Sequence, residues 1–254
     1  MTPDILIVVA ALNEAERISS TLAALALAFP GAPVWVADDG STDATPELAR
    51  AAGATVVRSP RVIGKGQAMT AGVQAALASI NFLGVSARAN AGLEHSSTDL
   101  PDRAIADQAP EAILVLCDGD LGDSARELGA LVDALGREDD AGLAVAAFAT
   151  RVGGGFGLAL AFAHWAIRRR CGLSTRAPIS GQRALRAGVV RDVLPFASGF
   201  GMEVGMTIDT VRCGHRVVEI DLPLAHRATG RTPAGFVHRA RQLLDFARVY
   251  FARR

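Results

Sequence analysis

Ile5 to Leu12 is an unbroken apolar run that reads as a buried strand. Asn13-Glu14 breaks it, after which Ile18, Leu22, Leu25 and Phe29 recur at helical spacing. Strand, polar turn and helix then repeat. Pro33 to Ala37 predicts a second strand, Asp38-Asp39-Gly40-Ser41-Thr42-Asp43 a polar turn whose Asp43 can cap a helix through Arg50, and Thr55 to Arg58 a third strand. Ile63-Gly64-Lys65-Gly66-Gln67 leads into a helix carrying Met69, Val73, Ala76, Leu77 and Ile80. Between Phe82 and Glu111 the periodicity fades and Ser, Asn, Asp and Pro gather, which predicts a long surface excursion.

The next apolar run ends abruptly at Leu114-Val115-Leu116-Cys117-Asp118-Gly119-Asp120. A helix from about Asp123 to Gly136 and a strand from Gly142 to Thr150 follow, then an apolar helix from Leu158 to Ile167 that runs into Arg168-Arg169-Arg170. That helix suits core packing, with a membrane interface as the alternative. The last third predicts a helix to about Leu194 after Ile179-Ser180-Gly181-Gln182-Arg183, a helix from Gly199 through Cys213, a strand from Val217 to Leu224 and a long helix from Pro233. Alternating strands and helices predict right-handed crossovers and a parallel sheet.

At 254 residues and 50% hydrophobic content, the chain can bury a full core. Its 26 basic residues balance its 26 acidic ones, which argues against nucleic acid as a partner. Cys117, Cys171 and Cys213 lie far apart and odd in number, against a disulfide framework or a zinc site and in keeping with a reducing cytosol. No leader pattern opens the chain and no apolar run reaches the roughly 20 residues that span a bilayer, so a soluble or peripheral protein is expected. The P-loop pattern is absent around Lys65, because Gly66 stands where Ser or Thr should follow. Gly153 to Gly157 lacks the third glycine of a dinucleotide fingerprint, Leu160 filling its place. From His226 to the end, seven arginines face one acid, Asp245; such a run suits a solvated face, phosphates or anionic lipid.

The polar residues fall at predicted strand ends, where open α/β sheets bind ligands. An Asp-Gly-Asp there offers hard oxygens to a divalent cation, although an Asp-rich turn is the simpler reading of the motif alone. In this order, Val9 to Glu14, Ala37 to Asp43, Gly64-Lys65-Gly66 and Asp118-Gly119-Asp120 resemble the family 2 glycosyltransferases of GT-A fold. Gly199 to Gly205 and Asp221 to Arg227 resemble the glucosyl-3-phosphoglycerate synthase branch and, less closely, the polyprenyl-phosphate sugar transferases.

The resemblance implies a central, mostly parallel sheet flanked by helices, in a single GT-A domain. Its nucleotide-sugar half would span 1–122, its acceptor side 123–232 and a basic, amphipathic helix 233–254. It implies transfer of a hexose from a nucleotide diphosphate sugar, UDP-glucose-like, to a phosphate-bearing acceptor, either a phosphorylated small molecule or a lipid phosphate. Ala11, Leu12, Asn13, Glu14 and Asp39 would hold base and ribose, and Lys65 the base or phosphates. Asp120, with His226, would hold Mg2+ or Mn2+, while Asp118 and Gly119 orient the ribose or the metal's water shell. Glu203 would lie beside the sugar or acceptor, and Arg183, Arg227 and Arg231 would meet the acceptor's phosphate. A cytoplasmic enzyme is expected, with peripheral contact at the inner face of the membrane and a homodimer left open. A nucleotidyltransferase and a non-catalytic sugar-nucleotide binding module are the alternatives of other classes; the first normally carries a Gly-rich activation loop where Leu12-Asn13-Glu14 stands.

Overall fold

The structure is a computed structural model that describes residues 4–90, 112–148, 157–224 and 233–253. Seven strands form one sheet in the order β3-β2-β1-β4-β6-β5-β7. They are β1 (Ile5–Ala11), β2 (Val34–Asp38), β3 (Thr55–Arg58), β4 (Ile113–Asp118), β5 (Ala141–Phe148), β6 (Arg183–Arg186) and β7 (Arg216–Leu222). The expected mostly parallel sheet is present: β6 alone runs against its neighbours β4 and β5. The helices are α1 (Ile18–Ala28), α2 (Thr45–Ala51), α3 (Lys65–Asn90), α4 (Gly129–Arg137), α5 (Leu158–Cys171), α6 (Ala187–Val193), α7 (Met202–Arg212) and α8 (Pro233–Ala252).

Continuous apolar runs make sense for β1 and β4 because both faces are covered. Ile7, Val9, Val115 and Cys117 point into a core built with Ile18 and Leu25 of α1 and Leu131 and Leu135 of α4. Leu6, Val8, Leu114 and Leu116 point the other way, against Met69, Val73 and Ala76 of α3 and Met202 and Met206 of α7. Truncating a residue such as Leu116, fully buried between these layers, to Ala should cost roughly 2–5 kcal/mol.

Three expectations shift. The helix after Lys65 continues to Asn90, past the Phe82 boundary, and the rest of the excursion lies outside the described residues. Gly122–Leu128 is a 3-10 segment, so the α-helix starts only at Gly129. Arg183–Arg186 is a strand, and the helix placed there begins at Ala187. The apolar helix α5 buries Ala163, Ala166 and Ile167, as core packing requires, while Leu158 and Trp165 are exposed. Residues 153–156 of the glycine-rich stretch lie outside the described residues.

Register sets the site. Ala10 of β1 is level with Ala37 of β2 and Asp118 of β4, and Ala11 with Asp38. The carboxyl ends of three parallel strands therefore form one rim. Because β6 is antiparallel, with Arg183 beside Leu116, its preceding residues 180–182 reach the same rim.

Candidate functional site

The loops at this rim are tied to one another through hydrogen bonds, several of them half-buried. Asn13, the one non-glycine residue at positive φ (57°) among the described residues, donates its amide to Ser41 Oγ at 2.9 Å and accepts from the Thr42 amide at 2.8 Å through Oδ1. Asparagine tolerates this left-handed backbone because its short amide bonds locally. The Glu14 amide donates to Thr45 Oγ1 at 2.8 Å, and the Asp39 amide to the Ala11 carbonyl at 2.9 Å. Asp43 accepts from the Thr45 amide at 3.0 Å and the Ala15 amide at 3.2 Å, tying the β1 loop to the turn before α2; the N-cap itself is Ala44, without a side-chain bond, so the capping expected of Asp43 is corrected. Leu12 is exposed at the lip and Ala11 is buried beneath it.

Asp39 is buried and its carboxylate accepts from the amides of Ile63 (2.7 Å) and Gly64 (2.9 Å). In this state it clamps the loop that delivers Lys65 rather than facing an open pocket. Gly66 is obligatory next to it: a Cβ there would lie 1.8 Å from the Ala197 carbonyl oxygen. The Gly199 amide also donates to Gln67 Oε1 at 3.2 Å. Residues 197–203 thus pack on the first turn of α3 and carry Glu203, in the first turn of α7, toward Lys65.

Lys65 Nζ lies 2.6 Å from Asp118 Oδ1 and 2.7 Å from Glu203 Oε1. The Glu203 side chain is 5% exposed and that of Lys65 23%. Burial pulls the lysine's proton affinity down, but the carboxylates of Asp118 and Glu203 outweigh it and hold the ammonium above its ordinary value. The other oxygen of Asp118 accepts from Gln182 Nε2 at 2.8 Å, and Gln182 Oε1 accepts from Ser180 Oγ at 3.1 Å. Gly181 leaves room for this arrangement, since a Cβ would sit 2.6 Å from Asp118 Oδ2 and 2.7 Å from Lys65 Nζ. Gly119 is equally confined, its Cβ position 3.2 Å from the Ala10 carbonyl. Asp120 is half-buried at the rim, and its carbonyl accepts from Arg17 Nη1 at 3.1 Å.

The structure therefore brings Lys65, Asp118 and Glu203 into one contact, with Asp120 two residues along the chain from Asp118. Arg183 is elsewhere. It is fully buried, donating to the carbonyls of Ser180 (2.8 Å) and Pro178 and to Thr207 Oγ1 (2.9 Å), and burial pulls it down to about 10. No part of it is open to an acceptor, which corrects that expectation: the guanidinium braces the 178–183 turn against α7. His226, Arg227 and Arg231 lie outside the described residues. Gln182, Ser180 and Arg17 went unassigned in the sequence, because their roles follow from an antiparallel neighbour and from contacts across 60 to 100 residues of chain. Among the described residues no group of three His, Cys, Asp or Glu side chains converges on a metal position. The donor chemistry nonetheless fits a hard dication: a carboxylate at the rim and room for ligand oxygens to supply the rest.

Residues 6–80 match the family model for glycosyl transferase family 2. The whole chain superposes on glucosyl-3-phosphoglycerate synthase from Mycobacterium tuberculosis in complex with phosphoglyceric acid, at TM-score 0.70 and 26% identity, covering 99% of this chain and 80% of that one. The chain carries the glycosyl transferase family 2 pattern over residues 6–80 and shares the GT-A fold of that synthase along nearly its whole length. The same synthase in complex with Mn2+, UDP-glucose and glycerol 3-phosphate matches at TM-score 0.69 and 26% identity over 98% of this chain and 80% of that one. Its complex with Mg2+ and UDP matches at 0.67 and 25% over 98% and 79%. No curated protein sequence matches the chain. The family match ends at residue 80, so Asp118, Gln182 and Glu203 are joined to it by the fold and not by the family pattern.

Proposed function

We propose that this glycosyltransferase moves a hexose from a nucleotide diphosphate sugar, UDP-glucose-like, to a phosphate-bearing acceptor, with Mg2+ or Mn2+. The observation that carries the reading is the convergence of Lys65, Asp118 and Glu203 on the strand-end rim next to Asp120, in a fold shared along almost its full length with a synthase solved with UDP, UDP-glucose, phosphoglyceric acid and glycerol 3-phosphate. The loop Ala11, Leu12, Asn13 and Glu14 holds base and ribose, while Asp39 supports it indirectly by fixing the Ile63–Gly64 loop; Asp118 and Gly119 orient the ribose. Asp120 of the DXD motif and His226 hold the metal, whose charge offsets that developing on the leaving diphosphate. Lys65 holds Asp118 and Glu203 in place beside the donor sugar. Arg227 and Arg231 supply forked donors for the acceptor's phosphate.

The donor half spans 1–122 and the acceptor side 123–232. The reaction breaks the bond from the anomeric carbon to the diphosphate oxygen and forms one to an acceptor hydroxyl oxygen, releasing the nucleoside diphosphate and a proton. Both a phosphorylated metabolite and a lipid phosphate offer that chemistry, and we place the enzyme in the cytoplasm with either.

Incubation with UDP-glucose, Mn2+ and 3-phosphoglycerate, following UDP release and glucosylated product, tests the reading. Asp120→Asn should abolish product and leave the thermal midpoint nearly unchanged. Pyrophosphate release from a nucleoside triphosphate and sugar phosphate would instead make it a nucleotidyltransferase. Tight donor binding without turnover across donors and acceptors would make it a binding module.

A further inference from the structure

Helices α5 and α8 pack on each other through Ala163, Ile167, Phe246 and Val249, and their outer surfaces carry an unusual composition. Phe162, Trp165, Tyr250 and Phe251 form a continuous row of rings, with centroids 5.4, 4.7 and 5.3 Å apart in turn. The Arg170 guanidinium lies 3.7 Å from the centre of the Tyr250 ring. Trp165 is 48% and Phe251 58% exposed, and Leu158 and Leu244 are exposed with them. On α8, Arg241, Leu244, Arg248 and Phe251 fall at spacings of three and four, hence on one side of the helix. On α5, Arg168 and Arg169 are exposed one turn beyond Trp165.

The charge of the chain is also divided here. Residues 158–171 and 233–253 hold seven of the 26 basic residues and one of the 26 acidic ones, so the rest, 19 basic to 25 acidic, is net negative. The one acid, Asp245, is engaged by Arg248 at 2.9 Å and by the Phe200 amide at 3.1 Å.

We propose that this two-helix face rests on an anionic lipid surface, its rings and leucines at the headgroup boundary and its arginines on the phosphates. Rings with a polar edge beside arginine suit that boundary. A second copy fits worse: a two-fold contact would bring two such helix pairs together, each with seven basic residues to one acidic, at a like net charge. The inference goes beyond the proposed reaction and does not depend on it, because none of these residues belongs to the donor site.

Sedimentation with vesicles of equimolar phosphatidylglycerol and phosphatidylcholine, against phosphatidylcholine alone, tests it. The full chain should pellet with the anionic vesicles, less so as salt rises, and not with the neutral ones. The chain has two tryptophans; Trp35 is buried in the core, so a blue shift on binding reports Trp165. Arg168→Gln with Arg169→Gln should weaken partition about 25-fold, taking about fivefold per arginine. Trp165→Ser with Phe251→Ser should abolish pelleting at unchanged UDP affinity. Protein that stays in the supernatant, equal pelleting with neutral vesicles, binding unaffected by both variants, or a lipid-free dimer that buries Trp165 would each overturn the proposal. Binding to single-stranded DNA in preference to anionic vesicles would overturn it in favour of a nucleic-acid face.

Discussion

Replacing Lys65 with Met removes one ammonium and almost nothing else, since the side chains are close in length. What remains are two carboxylates that had shared it, Asp118 at 2.6 Å and Glu203 at 2.7 Å. Breaking a buried ion pair by deleting one partner costs about 3–5 kcal/mol, because the other charge is left without solvent or counter-charge. Here the Asp118 side chain is 32% exposed and keeps its bond from Gln182, so water relieves part of the loss. Glu203, almost closed off, bears most of it. We therefore expect about 3 kcal/mol, at the low end, which for a chain of this size lowers the thermal midpoint by about 6–12 °C.

The pH dependence separates this account from simple loss of packing. In the native protein, Lys65 is held above its ordinary value, so its contribution is complete at neutral pH and is lost only as the pH rises through that raised folded value. In Lys65→Met, the uncompensated carboxylates bind protons more readily when folded than when unfolded, so stability must fall as pH rises and recover as pH falls. Circular-dichroism melts at pH 7.5 and 5.0 measure the gap, which should narrow at the lower pH. Adding Glu203→Gln to Lys65→Met should restore about half of the loss, a coupling read from the double-mutant cycle. A Lys65→Met protein as stable as the parent at pH 7.5, or a gap of equal size at both pH values, would refute the reasoning.

Two glycine substitutions test how the site is supported. Gly66→Ala sets a methyl group 1.8 Å from the Ala197 carbonyl, a backbone atom that cannot swing aside, and should lower stability by roughly 1–3 kcal/mol or more in a thermal melt. Gly181→Ala meets only the mobile ends of Asp118 and Lys65, so its melt should stay within a few degrees of the parent while sugar transfer drops at least tenfold, about 1.4 kcal/mol in barrier; unchanged turnover would show that the pair need not be kept close.

The strands β1 and β4 were legible because burial on both faces leaves a continuous apolar run, and the polar residues that end those runs marked the rim. β6 was not. Its four residues, Arg-Ala-Leu-Arg, begin and end with arginine, and a fully buried guanidinium runs against any reading from polarity. What allows it is a set of acceptors at Ser180, Pro178 and Thr207 that exists only once the 178–183 turn meets α7. The same holds for Lys65 and Glu203, 138 positions apart: the motifs flagged each residue, but their joint contact follows from the packing of residues 197–203 on the first turn of α3. The continuation of α3 to Asn90 was lost because the apolar stripe thins before the helix ends.

The distribution of charge at the rim bears on what the metal is for. Among the described residues, Glu14, Asp38, Asp39, Asp118, Asp120 and Glu203 are set against Arg17, Arg58 and Lys65 at the rim, six acids to three bases and a net charge of −3 at a place meant for a diphosphate. Both oxygens of Asp118 are engaged, by Lys65 and Gln182, so its role at the rim is to hold that contact, and the cation is assigned to Asp120 as in the proposed function. A divalent ion there would cancel two of those negative charges, which makes it a condition for binding the donor and not only for the chemical step. The effects of Asp120→Asn on UDP affinity must then cross. With Mn2+ the variant binds more weakly than the parent by tenfold or more, having lost the ion; in excess EDTA it binds at least as tightly, having lost a repelling charge. Titration calorimetry under both conditions measures the four affinities. An Asp120→Asn protein weaker than the parent in both would mean that this carboxylate contacts the nucleotide itself.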